Sequence, residues 1–297
     1  MTSYEEAGVS LATADAVVER LRRAVESTGA RGFGAFAGVH PLGDGRFLAA
    51  STDGVGTKLM LARDRGRLRD CGADLAAHCI NDVITTGATP LVLLDYVAAN
   101  EIRLEEVAEL VEGAAEVCRR AGVALVGGET AELPGTYREG ELDFAGTCVG
   151  VVDADDLVDG SRAEAGDLIV GFPSAGVHAN GFTLVRRVLA AEDYDGADLL
   201  AATRLYLDEV RALRGRARAF AHVTGGGILG NVSRVLPPGL RAEIAWDAWE
   251  RPPVFRWLAG HVEEEELRRV FNLGIGFCAV VAEAAPGETL VGRVVGA

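Results

Sequence analysis

Five short stretches of this 297-residue chain hold the residue types that chemistry needs. In STDGVGTK (51–58), Asp53 supplies a carboxylate, Gly54 and Gly56 let the backbone approach a ligand, Thr57 adds a hydroxyl and Lys58 a cation. A carboxylate beside a lysine suits phosphate, because Mg2+ commonly binds one or two carboxylates together with substrate phosphate oxygens. The spacing matches neither the G-x-x-x-x-G-K-[ST] phosphate loop nor the G-x-G-x-x-G dinucleotide fingerprint. A plain tight turn with a solvated lysine is the competing reading.

The other four are equally short. Asn81 and Asp82 of NDVITTGATP lie inside a helix, where a carboxylate gains no capping role, and Asp74, His78 and Asp82 share one face at i, i+4, i+8. Such a face can hold a metal, although it more often marks a solvated surface. Glu129 of VGGETAELPG follows a short apolar strand, where α/β proteins tend to place ligand groups, or it is an incidental acid of a β-turn. In PSAGVHANG, His178 and Asn180 precede a helix that starts near Gly181, and free amides at a helix N-terminus attract anions. Thr224, Gly225, Gly226 and Gly227 of HVTGGGILGN form a costly glycine run, understandable where a ligand or another backbone must come close.

These residues need elements to hold them. Apolar spacing predicts a first helix over Thr13–Glu26 behind a threonine cap, a helix in GADLAAHCINDVITTGATP stopped by Gly87 and Pro90, and a third closed by Gly122. Strands are predicted at GDGRFLAAST, LVLLDYVA, VALVGG and ELDFAGTCVGVVD, with Asp95 near the end of the second. The polar stretch 154–167 divides the chain into 1–155 and 156–297. The second part reads as strand LIVGF, a helix from FTLVRRVLAAE, a helix near 200–214, strand AFAHVT and a helix ending at Pro237. The EEEE run at 263–266 reads as a solvated first helical turn, where acidic groups suit the dipole.

Composition narrows the partners. With 44 acidic against 29 basic side chains and a net charge of −15, a nucleic acid is not expected, since such binding rests on neutralising phosphates. The start MTSYEEAGVS has no signal-peptide pattern and no run approaches the ~18 apolar residues of a membrane span, so no membrane partner and a cytoplasmic location are expected. Five scattered cysteines without a CxxC pair read as reduced thiols.

Taken in order, TDGVGTK, CINDVITTGATPLVLLDYVA, LVGGETAELPG, GVHANG, HVTGGGILGNVSRVLP and FNLGIGF resemble the phosphoribosylformylglycinamidine cyclo-ligase (aminoimidazole ribonucleotide synthetase) family, from SYEEAGV to at least Val281. The resemblance implies an α+β chain of two α/β-type domains. Residues 1–155 would bind ATP and dimerise, their mixed sheet pairing across a homodimer, and 156–297 would bind substrate with a sheet flanked by helices. It implies ATP-dependent closure of the imidazole ring of formylglycinamidine ribonucleotide, with Mg2+ on Asp53, Asp82 and Glu129. Gly54, Gly56, Thr57, Lys58, Asn81 and Asp95 would belong to the nucleotide site. His178, Asn180, Gly181 and Thr224 to Gly227 would hold the ribonucleotide, with His178, Lys58 and Asp82 in the chemistry.

Departures from the family pattern are a short ESTGARGFGAF lead, Arg22 in place of a lysine, SAGVHANG with alanines at 175 and 179, and an abbreviated C-terminal region. They leave open a non-catalytic or different-substrate paralogue on the same scaffold. Selenophosphate synthetases, thiamine monophosphate kinases and hydrogenase maturation proteins are minor alternatives, because no cysteine precedes Cys71 and the chain reads GGET, not GGDT.

Overall fold

Two five-stranded sheets organise the chain. The computed structural model describes residues 2–30 and 33–297; Arg31 and Gly32 of the glycine-rich lead lie outside the described residues. The first sheet contains β1 (Gly38–Pro41), β2 (Arg46–Gly54), β3 (Thr89–Ala99), β4 (Ala124–Glu132) and β5 (Leu142–Asp153), in the order β1-β2-β5-β3-β4. It is mixed: only β3 and β4 run parallel, joined by helix α4 (Leu104–Ala121), and the other neighbours are antiparallel. The second sheet contains β6 (Leu168–Pro173), β7 (Ala217–His222), β8 (Leu240–Ile244), β9 (Ile275–Val281) and β10 (Thr289–Gly296), in the order β7-β9-β6-β10-β8, antiparallel throughout.

Alternation along β5 explains how the first sheet is used. Phe144, Gly146, Cys148, Gly150 and Val152 are buried under helix α3 (Leu68–Ile84), while the intervening residues look out from the other face. On that open face Leu94, Tyr96 and Val126 are 42%, 37% and 57% exposed. The buried side is continuous with the second half, since one apolar cluster runs from Leu75 and Phe144 to Phe182, Tyr206 and Phe277.

Helices α3 and α4 touch through glycines. A Cβ at Gly72 would lie 1.9 Å from the Leu110 carbonyl oxygen, and one at Gly113 would lie 2.0 Å from that of Arg69. Gly72→Ala must therefore push the helices apart, and a loss of about 1–3 kcal/mol is expected in urea unfolding. An unchanged midpoint would mean that the helix pair slides at no cost.

Three local expectations change. The first helix, α1 (Leu11–Glu26), is capped by Ser10, whose hydroxyl accepts from the Thr13 amide, so the threonine is inside the first turn. The helix expected near 200–214 begins only at Leu207 (α6, Leu207–Leu213), because the Thr203 and Tyr206 amides are bound by Asp74 and Asn81 of α3 and are not free for a helical ladder. The acidic run is not simply solvated: Glu264 at the start of α9 (Glu264–Val270) binds Arg251 and Arg268, which hold its carboxyl at about 2, and Glu266 accepts from the Tyr4 amide.

All five cysteines are buried and free. Among the described residues no helix is long and apolar enough to cross a membrane.

Candidate active site

The polar face of α3 points inward. Asp74, His78 and Asp82 are 0%, 3% and 8% exposed, so the solvated-surface reading of this face is corrected. Burial of such groups requires partners, and each finds one from a different part of the chain. Asp74 Oδ2 lies 2.6 Å from Lys58 Nζ, His78 Nδ1 lies 3.1 Å from Asp53 Oδ2, and Asp82 Oδ1 lies 2.8 Å from His222 Nδ1. Spacing alone does not reveal these contacts, because every partner lies outside the helix.

The last two pairs form one centre between the sheets. Asp53 ends β2 and His222 ends β7, and the His78 and His222 rings meet edge to face with centroids 5.0 Å apart. Ser51 Oγ lies 2.9 Å from Asp82 Oδ2 and 3.0 Å from the Phe36 carbonyl, which brings the glycine-rich lead over the centre. Beside it opens a cavity of about 150 Å³ whose lining includes Phe36, Thr85, Thr86, Phe220 and Arg234.

Charge is distributed unevenly over the two pairs. Burial disfavours a charged His78, but the Asp53 carboxylate outweighs it and raises the imidazole above its ordinary value. Burial likewise works against ionised Asp53, and His78 overrides it and holds the carboxyl below the usual range. For His222 burial wins over the attraction of Asp82, so the ring is favoured neutral. A neutral His222 donates Nδ1–H to Asp82 and keeps a lone pair on Nε2, a buried atom without a partner among the described residues.

Several expected ligand residues are placed elsewhere. Lys58 is completely buried and directed at Asp74 and the carbonyls of His178 and Ala201, not at an open phosphate cradle. Asn81 is also fully buried, its amide donating to the Arg204 carbonyl and its oxygen accepting from the Tyr206 amide. These two face inward because the strap at 201–206 passes over α3 and needs both kinds of partner. Asp95 shares a row with Asp53 across the sheet, Asp53 opposite Gly146 and Gly146 opposite Asp95, and burial raises its carboxyl. Glu129 pairs with exposed Tyr96 and so belongs to the opposite face.

Among the described residues no group of three or more His, Cys, Asp or Glu side chains is arranged to hold a metal. The set Asp53, Asp82 and Glu129 is therefore not a preformed cage within one chain. Asp53, with a side chain 33% exposed, keeps lone pairs beyond those engaged by His78 and the Gly54 amide. That suits a hard cation that arrives with phosphate oxygens.

The remaining motifs adjoin the centre from the second half. His178 is 1% exposed with φ +66°; burial first, then the neighbouring cationic groups, drives its ring well below the usual value, and Nδ1 has no partner among the described residues. A neutral buried ring of this kind is no cation for a phosphate. Asn180 and Gly225 face each other, Asn180 Oδ1 lying 3.7 Å from where a Gly225 Cβ would be. Asn231 Nδ2 ties the glycine loop down through the Thr224, Gly225 and Gly227 carbonyls. Gly227 itself answers to another backbone, since a Cβ there would sit 1.9 Å from the Arg268 carbonyl oxygen. Gly54 donates to its neighbour Asp53, Gly56 turns the chain at φ +67°, and Thr57 Oγ1 meets Thr183 Oγ1 at 2.9 Å. Gly181, with φ +81°, caps the helix that carries Thr183.

Ser51 and His222 are not among the expected site residues, and His78 enters there only as part of the α3 face weighed as a metal site or a solvated surface. The available signals were slight: His222 stands two residues before the TGGG run, and His78 is one helical turn before Asp82.

Residues 34–152 match the family model for the AIR synthase related protein N-terminal domain, and 164–291 match the one for its C-terminal domain. A phosphoribosylformylglycinamidine cyclo-ligase of Synechococcus sp. (strain CC9605) is 46% identical over 302 residues, 94% of this chain and 88% of that protein. The chloroplastic enzyme of the same name from Arabidopsis thaliana is 43% identical over 304 residues, 97% of this chain and 77% of its own. Among solved structures, thiamine monophosphate kinase from Aquifex aeolicus superposes with a TM-score of 0.69 at 15% identity, covering 97% of this chain and 96% of that one. The E. coli hydrogenase maturation protein HypE superposes at 0.62 with 20% identity, over 84% and 80%. Those two likenesses establish a shared fold alone.

Proposed function

This chain belongs to the AIR synthase related family, and from that premise we propose that it closes the imidazole ring of formylglycinamidine ribonucleotide with ATP, yielding aminoimidazole ribonucleotide, ADP and phosphate. The observation that carries the reading is the 43–46% identity, over at least 94% of the chain, to proteins named for that reaction. A non-catalytic paralogue is disfavoured, because Asp53–His78 and Asp82–His222 form a buried polar centre at the junction of the sheets.

The reaction turns a formyl oxygen into a leaving group. Transfer of the γ-phosphoryl group of ATP to that amide oxygen activates the carbon; the amidine nitrogen attacks it, loses a proton, and the C–O bond breaks to release phosphate. His222, neutral and with a free Nε2 lone pair, is the side chain suited to take the proton, and Asp82 holds its ring and balances the resulting charge. Asp53, held by His78 and partly exposed, with Asp82 beside it, would hold Mg2+, whose chemistry is to neutralise phosphate oxygens during transfer. The Asn180 and Gly225 loops would cradle the ribonucleotide. His178 would serve as a neutral hydrogen-bonding group and not as a phosphate cation.

The cavity of about 150 Å³ is smaller than the ~300–1,000 Å³ usual for ligand sites. A separate cavity of about 240 Å³ is lined by Gly56 and Thr57 of the loop assigned to the nucleotide. The exposed row of Leu94, Tyr96 and Val126 supports a homodimer through the open face of the first sheet. Ribonucleotide-dependent release of ADP by purified protein tests the reading: release matched by aminoimidazole ribonucleotide is expected, and a folded protein that releases none refutes it.

A further inference from the structure

We infer that Lys58 and Asp74 form a positioning clasp that fixes the His178 loop against the glycine loop of the other half, and that Lys58 does not bind phosphate. An ammonium carries three N–H donors. Lys58 Nζ donates to the His178 carbonyl at 2.8 Å and to the Ala201 carbonyl at 3.1 Å, and pairs by charge with Asp74 Oδ2 at 2.6 Å, an oxygen without an aligned hydrogen bond among the described residues. The Phe182 ring lies 5.4 Å away, and neither Lys58 nor Asp74 is exposed at all. Fully buried among a carboxylate and two carbonyls, the ammonium presents no surface to solvent where a phosphate would arrive.

The other oxygen of Asp74 extends the clasp. Oδ1 accepts from the Thr203 amide at 2.8 Å and from its hydroxyl at 2.7 Å, so one buried ion pair grips the His178 loop and the 201–206 strap together. The held loop needs holding. His178 is one of two non-glycine residues with positive φ among the described residues, a conformation that costs about 1 kcal/mol or more and persists where surroundings over-determine it. Lys58 binds the carbonyl of that very residue. Gly176 and Val177 are pinned from the other side by Asn272 Nδ2, and Gly176 leaves no room for a Cβ against the Asp198 carbonyl oxygen, 1.9 Å away.

The consequence concerns the two substrates. Gly56 and Thr57 directly precede Lys58, and Asn180 stands two residues after His178, so the clasp makes the nucleotide-side and ribonucleotide-side loops one rigid unit. Phosphoryl transfer between two bound molecules depends on such fixed placement. The inference rests on the cyclo-ligase reading for what the loops bind, whereas the clasp itself does not.

The test compares wild type with Asp74→Asn and with the double variant Lys58→Met/Asp74→Leu, which removes both buried charges at once and avoids stranding either. Steady-state kinetics and amide hydrogen exchange are read for each. Both variants are expected to lower kcat by about tenfold and raise KM for the ribonucleotide, with KM for ATP changed by less than about twofold and exchange accelerated in 174–181 and 198–206. A KM for ATP raised about tenfold or more, with the ribonucleotide KM unchanged, would return Lys58 to the phosphate. Folded variants with unaltered kinetics would leave the ion pair purely structural and overturn the inference. Should neither variant fold, wild-type exchange decides: the Thr203 amide should be among the slowest, and fast exchange there sinks the clasp. Wild-type protein without ribonucleotide-dependent ADP release refutes the cyclo-ligase reading and leaves the exchange result standing on its own.

Discussion

Asp82→Asn is expected to lower kcat by about a hundredfold or more while the protein stays folded. The carboxylate has two jobs that an amide cannot do together. Oδ1 accepts from His222 Nδ1 and so selects the tautomer with its lone pair on Nε2, and the negative charge stabilises the imidazolium formed when that lone pair takes a proton. An amide can turn its NH2 toward the ring, select the wrong tautomer and offer no charge. His222→Ala should cost a similar factor, and the double variant little more than either alone, because the two side chains act as a unit. Initial rates of ribonucleotide-dependent ADP release check this. Fully additive losses would separate Asp82 from His222 and assign each an independent role.

Stability should peak near pH 6.5 and fall on both sides, the acid side being steeper. His178 and His222 are buried with their rings driven toward the neutral form, so below the unfolded value of about 6.5 the unfolded chain binds protons that the native one refuses. His78 has the opposite sign. Its raised value means that its pair with Asp53 stabilises fully below about 6.5, and that this contribution is lost as pH rises through the folded value. On the acid side His178 contributes up to about 1.4 kcal/mol per pH unit, His222 adds to it only between its unfolded and folded values, and His78 is protonated in both states. Urea midpoints between pH 5 and 8 test it, with His178→Asn as the control. Asparagine tolerates the positive φ at this position, so that variant should fold and show a clearly shallower acid limb. An identical acid limb would show that His178 does not contribute to it.

Legibility of the sequence followed the range of the interactions. Helix α4 was readable to its end because its closing signal is local: Gly122 takes the left-handed cap that only glycine adopts freely, at φ +73°. The α3 helix was readable as a helix but not by its environment. Periodicity reports that Asp74, His78 and Asp82 share a face, and says nothing of whether water or three partner groups lie beyond it. The strap at 201–206 is illegible for the same reason, its non-helical form being set by side chains more than a hundred positions away.

By itself the sequence determined the α+β character, the order of the glycine-rich motifs and, through that order, the family. Those are properties of local spacing and of chain order. Only the tertiary structure decided that Lys58 faces the Asp74 carboxylate, that Asn81 is a tie for the strap, that Gly227 answers to the Arg268 carbonyl, and that His78 and His222 complete the centre with Asp53 and Asp82. For the polar groups among them the physical reason is shared. A buried polar group is defined by the partner that satisfies it, and the partners of Lys58, Asn81 and His222 come from the other half of the chain, or from the helix that the other half packs against.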